Sequence, residues 1–274
     1  VMQVEISKLD GTKITRAVVR PAERGTVEIV DGKAVVTTIG PQQLNVDIDG
    51  GLEEFNTGFE MMDPTRRTVV HSFSVFANPM LNWPDPDDPD VRTVSPDEAP
   101  PADFNESTLY FLPGVHNISA IPECCLTSNY SLACLCEDKN ASLPGYVNPY
   151  KVKSGKTYYI SPTAWLNGCL HTDNEDHDGD GYLNSINGLS VLGYGVISLH
   201  LMRWKEGGSY STPKAFWFRF MSNSTFMGPT LVDTPSHFMI LVGDTDDGAE
   251  EAPNTLTHIK TFGWRTNSDG LHTW

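Results

Sequence analysis

The stretch FMGPTLVDTPSHFMILVG, residues 226–243, decides the fold because it sets short apolar runs between corners such as Gly-Pro and Asp-Thr-Pro. Comparable runs precede and follow it, and the strands that they predict open about every 20 residues, at Phe216, His237 and Thr257. A recurrence of this length is typical of a parallel β-helix, in which each coil buries its inward residues by stacking on its neighbours. The pattern predicts a right-handed parallel β-helix over residues 107–274. A second, antiparallel β-sandwich is the alternative, although hairpin turns are scarce here.

The first 80 residues follow a different β pattern. Runs such as VEISKL and KAVVTTI lie between turn signals, for example Asp10-Gly11 and Asp31-Gly32, and about six short strands at this spacing predict a β-sandwich. Residues 81–106 are rich in Pro and Asp, which predicts an extended linker. The expected fold class is therefore all-β: a sandwich (1–80), the linker (81–106) and the first coils of the β-helix (107–274), with a cysteine-rich loop at 121–150.

Charge and hydropathy exclude several classes of partner. The 274 residues carry a net charge of −16, which repels nucleic-acid phosphates and anionic membrane surfaces. No stretch approaches the ~18 consecutive apolar residues of a membrane-spanning helix. We therefore expect neither a nucleic-acid partner nor a membrane partner. The same charge makes a neutral polysaccharide an easier substrate than a polyanionic one.

Sequons and cysteines indicate a secreted, glycosylated protein. Asn-x-Ser/Thr sequons occur at Asn105, Asn117, Asn129, Asn140 and Asn223. Four of the five cysteines lie in one short segment, at Cys124, Cys125, Cys134 and Cys136. Their spacing differs from that of a zinc site and predicts two disulfides that staple a loop, with three possible pairings. Cys169 stands apart, and we expect it either to be a buried thiol or to pair with a cysteine beyond residue 274.

The candidate catalytic residue lies near the end of the sequence. Residues 256–262 predict a short strand, and the motif NSDGL follows at 267–271. An acid between a polar residue and Gly at a strand end suits an exposed catalytic position, so Asp269 is the candidate acid; a structural corner-capping role is the alternative. Candidate substrate-binding residues flank it at Trp264, Arg265, Asn267 and Trp274, because aromatic faces stack on sugar rings.

Three segments resemble a known group of enzymes. INGLSVLGYGVISL (186–199), residues 226–243 and IKTFGWRTNSDGL (259–271) resemble successive coils of the polygalacturonase-like β-helix hydrolases. The segments FANP (76–79) and TLYFLPGVH (108–116) resemble glycoside hydrolase family 49, the dextranases and isopullulanases. The resemblance implies a secreted endo-hydrolase that cleaves a neutral α-glucan of the dextran or pullulan type by inversion.

The same resemblance implies three catalytic aspartates, of which the first maps onto Asp269. The other two form an adjacent pair on the following coil, so they would lie beyond residue 274. Asp246 and Asp247 precede Asp269 and are therefore not this pair. An inverting hydrolase needs a carboxylic acid and a water-activating carboxylate about 6.5–9.5 Å apart, and adjacent coils, with strands ~4.8 Å apart, can supply them.

Two other functions remain open from the sequence. One is a pectin hydrolase of the polygalacturonase type, which would need Lys and Arg along its cleft to hold uronates. The other is a non-catalytic carbohydrate-binding β-helix, which is favoured if the natural polypeptide ends at residue 274. Neither these two functions nor hydrolysis of a neutral α-glucan requires a cofactor.

An acidic loop, DNEDHDGDGYLN at 173–184, is a possible calcium site. Asp176, Asp178 and Asp180 followed by Gly181 match the first half of a calcium-binding loop. The twelfth position is Asn187 instead of a bidentate Glu, and no helices are predicted on either side. The loop is either a structural calcium site or a solvated insertion between coils.

Overall fold

The computed structural model describes residues 1–49, 71–119, 149–172, 185–200, 215–234, 237–243, 252–263 and 270–273. These residues are essentially all-β, as predicted, with one short 3-10 helix at Ala22–Arg24. No described helix is long and apolar enough to cross a membrane. The chain divides into two compact units, Val1–Leu81 and Asn82–Trp274.

The first unit contains two antiparallel three-stranded sheets. Its strands are β1 (Met2–Ile6), β2 (Ala17–Arg20), β3 (Thr26–Val30), β4 (Lys33–Thr38), β5 (Gln42–Ile48) and β6 (His71–Ala77). One sheet has the order β1-β4-β3 and the other β2-β5-β6. Alternate residues of β4 are buried, and both sheets contribute to one apolar core, for example through Val36 and Val46.

Asp49 ties a loop of this unit to the end of β5. Its carboxylate forms an ion pair with Lys8 at 2.6 Å and accepts hydrogen bonds from the backbone N–H and hydroxyl of Thr15, at 2.8 and 2.9 Å. The Lys8 ammonium, followed by the Thr15 bonds, holds the pKa of Asp49 well below its ordinary value. The segment at residues 15–16 is thereby fixed to the end of β5.

The second unit contains three parallel sheets. Sheet 1 consists of β7 (Val91–Val94), β8 (Thr108–Phe111), β11 (Thr157–Ile160), β15 (Ser190–Gly193), β18 (Thr225–Met227) and β21 (Thr255–Thr257). Sheet 2 consists of β9 (Gly114–Asn117), β12 (Ala164–Asn167), β16 (Val196–Ser198), β19 (Thr230–Val232) and β22 (Lys260–Phe262). Sheet 3 consists of β10 (Tyr150–Val152), β13 (Leu170–Thr172), β17 (Phe216–Ser222), β20 (Met239–Gly243) and β23 (Leu271–Thr273), with β14 (Ile186–Asn187) also paired to β17. The alternative of a second antiparallel sandwich is therefore wrong.

From β8 onward the chain visits sheets 1, 2 and 3 in turn, so each circuit adds to every sheet, and one circuit places both β13 and β14 on sheet 3. Parallel neighbours lie in register ~4.8 Å apart, and each inward side chain covers the corresponding one of the next circuit. In sheet 1 these inward positions are Leu109, Tyr158, Val191 and Phe226, which are fully buried in one continuous core. This stacking explains why the sequence repeats apolar runs.

The corner between sheets 3 and 1 needs a left-handed residue in successive circuits. Gly155, Gly188 and Asn223 occupy it with φ of 67°, 69° and 50°. The N–H of each donates to a carbonyl of the following circuit, Asn187, Ser222 and Ala252 respectively. Asn is among the side chains that tolerate this conformation best, so the sequon asparagine Asn223 is also a corner residue.

Two predicted segments differ from the structure. The strand predicted over residues 256–262 is divided into β21 and β22 because His258 turns the chain in a left-handed conformation, with φ of 55°. The predicted linker contains β7, which pairs with β8 at the edge of sheet 1. Asp90 anchors it by accepting bonds from the Ser107 backbone N–H at 2.8 Å and hydroxyl at 2.5 Å. An edge position explains how a Pro-rich segment supplies a strand.

Candidate functional site

Most of the predicted site residues lie outside the described residues. They are the candidate acid Asp269, the substrate-binding candidates Trp264, Arg265, Asn267 and Trp274, the calcium candidates Asp176, Asp178 and Asp180, the cysteines Cys124, Cys125, Cys134 and Cys136, and the sequons Asn129 and Asn140. Their assignments stay predictions. Among the residues that the structure does describe, no cluster of three His, Cys, Asp or Glu side chains is arranged to hold a metal ion.

The strand that follows Asp269 indicates which surface is relevant. Asp269 precedes β23 by two residues, and β23 pairs in parallel with β20, with Leu271 opposite Met239. In sequence, His237 precedes Met239 by two residues, as Asp269 precedes Leu271. The NSDGL motif therefore leads into β23, an edge strand of sheet 3, and the candidate surface is the outer face of that sheet.

A row of half-exposed side chains crosses this outer face. Register pairs Lys151 with His171, His171 with Trp217, and Trp217 with Ile240. Each lies between two buried residues of its own strand, because successive side chains of a strand point to opposite faces. The His171 and Trp217 rings are in contact, with centroids 5.5 Å apart and an interplanar angle of 60°.

An irregularity in β17 adds a second cation near this row. The register between β17 and β20 shifts between Phe218 and Met221, and Phe220 is left-handed with φ of 52°. A bulge of this kind redirects the neighbouring side chains. Arg219 is half-buried, with its guanidinium 5.1 Å from the centroid of the Phe220 ring.

Aromatic, imidazole and cationic side chains in one row can bind sugars. The apolar faces of Trp and His pack on the C–H face of a sugar ring, while N–H groups donate to its hydroxyls. Sequence reasoning missed Trp217. The alternation of AFWFRFM (215–221) was a signal for an outward Trp, but it could not say which sheet the strand joins.

His116 and His171 have different environments. His116 is fully buried opposite Leu166 on the inward side of sheet 2, and its Nε2 lies 2.7 Å from the Leu112 carbonyl oxygen. It is a core residue. His171, in contrast, belongs to the outward row on sheet 3.

Lys260 opens β22, the last described strand before the motif. It is 5% exposed, its Nζ donates to the Gly228 carbonyl at 2.7 Å, and it lies 4.8 Å from the Tyr194 ring centroid. Burial lowers the pKa of Lys260 to about 8, because desolvation disfavours the charged ammonium. It lies on sheet 2, so it is not part of the row on sheet 3.

The three described sequon asparagines, Asn105, Asn117 and Asn223, are all exposed, which attachment of a glycan requires. Cys169 is fully buried, with its Sγ 3.9 Å from the Ser119 hydroxyl. This burial agrees with the first of the two alternatives that the sequence left open for Cys169.

Comparison with solved structures finds a similar fold in Dex49A from Penicillium minioluteum. The TM-score is 0.58 at 17% sequence identity, and the likeness covers 94% of this chain and 45% of that one. At this identity the similarity shows the fold, and the chain spans a little under half the length of that structure. No family model matches the sequence, and no curated protein matches it.

Proposed function

We propose that this protein is a secreted endo-glycoside hydrolase of the family 49 type that cleaves a neutral α-glucan by inversion. The observation that carries the proposal is the position of the NSDGL motif. It leads directly into β23 of sheet 3, in a fold that is similar over 94% of the chain to Dex49A, a dextranase.

The fold part of the proposal is an N-terminal β-sandwich followed by a right-handed parallel β-helix. Two antiparallel sheets with one common core support the sandwich. Three parallel sheets, visited in turn by successive strands, support the β-helix. Such a stack offers a long outer face along which a polysaccharide can lie.

In the proposed mechanism Asp269 acts as the base that activates a water molecule. The acid that protonates the leaving oxygen comes from the following coil, since an inverting pair needs a separation of about 6.5–9.5 Å. The row from Lys151 to Ile240 runs across the strands, and its three strand spacings amount to about 14 Å. The glucan therefore lies along the stack, with its rings on Trp217 and His171. No cofactor takes part.

Charge favours a neutral substrate. The net charge of −16 opposes a polyuronate, although Lys151 and Arg219 give the face of sheet 3 two local cations that a pectin hydrolase could use. Dextran or pullulan is the proposed substrate, and activity on pectate is measured for comparison. The exposed sequons support secretion and N-glycosylation, and we also propose the two disulfides in the 121–150 loop.

The test is Asp269→Asn in the natural polypeptide that contains these residues. The substitution keeps the shape of the side chain and removes its charge, so turnover on dextran or pullulan should fall by about 10²–10⁴, the usual contribution of general base catalysis. Asp246→Asn is the matched control and should keep its activity. A folded Asp269→Asn protein that remains active would refute the catalytic role, and activity lost only through unfolding would favour corner capping. A wild-type protein that binds glucan without cleaving it would favour the non-catalytic alternative.

A further inference from the structure

A second surface, on sheet 2, brings a sequon asparagine together with a tryptophan. Asn117 ends β9 opposite Asn167, and Val115 lies opposite Trp165. These four residues share the outer face, because His116 and Leu166 between them are buried. Val115 is 58% exposed and Trp165 is half-exposed. Nothing in the proposed hydrolase mechanism uses this face.

Hydrogen bonds along this face fix the orientation of the Asn117 amide. The Trp165 Nε1–H donates to Asn167 Oδ1 at 2.9 Å, and an indole nitrogen can only donate. The Asn167 Nδ2 must therefore be the donor to Asn117 Oδ1, at 3.1 Å. The chain of bonds engages the oxygen of Asn117 and not Nδ2, the atom to which an N-linked glycan is attached.

We propose that Asn117 carries an N-linked glycan whose first sugar packs on Trp165 and Val115. Trp165 lies on the neighbouring strand two residues before Asn167, which places its Cα about 8 Å diagonally from that of Asn117, and Val115 lies two residues before Asn117 on the same strand. A sugar attached to Asn117 therefore reaches both side chains. Its apolar face covers both, while its hydroxyls stay in water. The proposal depends on secretion and glycosylation, and it is independent of Asp269.

The other described sequons offer no comparable platform. Asn223 occupies a left-handed corner. Asn105 is next to Phe104, but that ring is already covered by the Lys156 ammonium at 4.9 Å and contacts Tyr158 edge-to-face at 5.9 Å. Substitution of Asn223 would strain that corner, so Asn105→Gln is the control for loss of a glycan without a docking surface.

The experiment is a double-mutant cycle on the full natural polypeptide secreted from a glycosylating host. Peptide mass mapping first determines whether Asn117 carries a glycan. Melting temperatures are then measured for wild type, Asn117→Gln, Trp165→Leu and the double variant. Asn117→Gln should lower the melting temperature about 2–4 °C more than Asn105→Gln does, and this excess should disappear in the Trp165→Leu background.

The hydrogen bonds through Asn167 also couple Asn117 to Trp165. The same double-mutant cycle is therefore repeated on protein made without glycosylation. The proposal requires the coupling to be larger in the glycosylated protein. If a variant does not fold, the proposal is tested by the rate at which an N-glycosidase releases the glycans of native wild-type protein. The glycan of Asn117 should be released at least about 5-fold more slowly than that of Asn223. An unmodified Asn117, equal coupling in both preparations or equal release rates would each overturn the proposal, and none of them bears on the role of Asp269.

Discussion

The proposed path of the glucan predicts a chain-length effect for Trp217→Ala. Trp217 is two strands from β23, which follows Asp269, so the distance along the stack is two spacings of ~4.8 Å, or about 10 Å. A sugar ring covers on the order of 50 Å² of the indole, and at ~25 cal/mol per Å² this burial is worth about 1.2 kcal/mol. We expect kcat/KM on long glucans to fall by about 8-fold.

Short oligosaccharides that occupy only the positions next to the acid do not reach Trp217, so their kcat/KM should not change. The assay compares a length series of substrates for wild type, Trp217→Ala and the control Trp83→Ala, whose side chain is 58% exposed and lies outside sheet 3. Melting temperatures identify any loss of folded protein caused by removing the contact with His171. An equal loss of kcat/KM on short and long substrates, or none on long ones, would refute the proposed path.

Three further outcomes test other parts of the molecule. Burial lowers the pKa of Lys260 from its ordinary 10.5 to about 8 in the folded protein. Between pH 8 and pH 10.5 the unfolded chain therefore binds more protons at this residue than the folded protein does. The free energy of unfolding should accordingly rise by up to about 3 kcal/mol over this range. Denaturant melts should show this rise in wild type and not in Lys260→Met. Calcium binding by Asp176, Asp178 and Asp180 should raise the melting temperature in millimolar calcium relative to chelator; an unchanged value would identify the loop as a solvated insertion. An N-glycosidase should lower the apparent mass, and thiol titration of native protein should find at most one cysteine, whereas four or five reactive thiols would contradict secretion.

The sequence predicted the presence of short apolar strands better than it predicted where each strand begins and which sheet it joins. Phe216 does open β17, but His237 precedes β20 by two residues and Thr257 ends β21, which belongs to a different sheet. Equivalent strands of sheet 3 begin at Tyr150, Leu170, Phe216, Met239 and Leu271, in unequal steps of 20, 46, 23 and 32 residues. Each circuit has three corners of independent length, so a single period cannot describe it.

The strand predicted over residues 256–262 is divided because His258, a residue other than glycine, forms a corner within it. A left-handed His258 cannot be read from THIKTF, since His in that context is equally compatible with an extended strand. In the structure, the Gly228 N–H donates to the Thr257 carbonyl at 3.1 Å, so the preceding circuit specifies the corner. Such contacts between circuits are not a property of the local sequence.

The same reasoning separates the two tryptophans that the strands present on the outer surface. Trp165 and Trp217 both alternate with buried residues, and both are half-exposed, so their sequence contexts are equivalent. Only the strand pairing distinguishes them, because Trp217 shares sheet 3 with β23 and Trp165 belongs to sheet 2. A residue acts on substrate only if it shares the surface of the reacting group, so Trp217→Ala should change turnover and leave the Asn117 coupling intact. Trp165→Leu should do the reverse. The two tryptophans therefore differ in the sheet that each strand joins, and the local sequence does not give that difference.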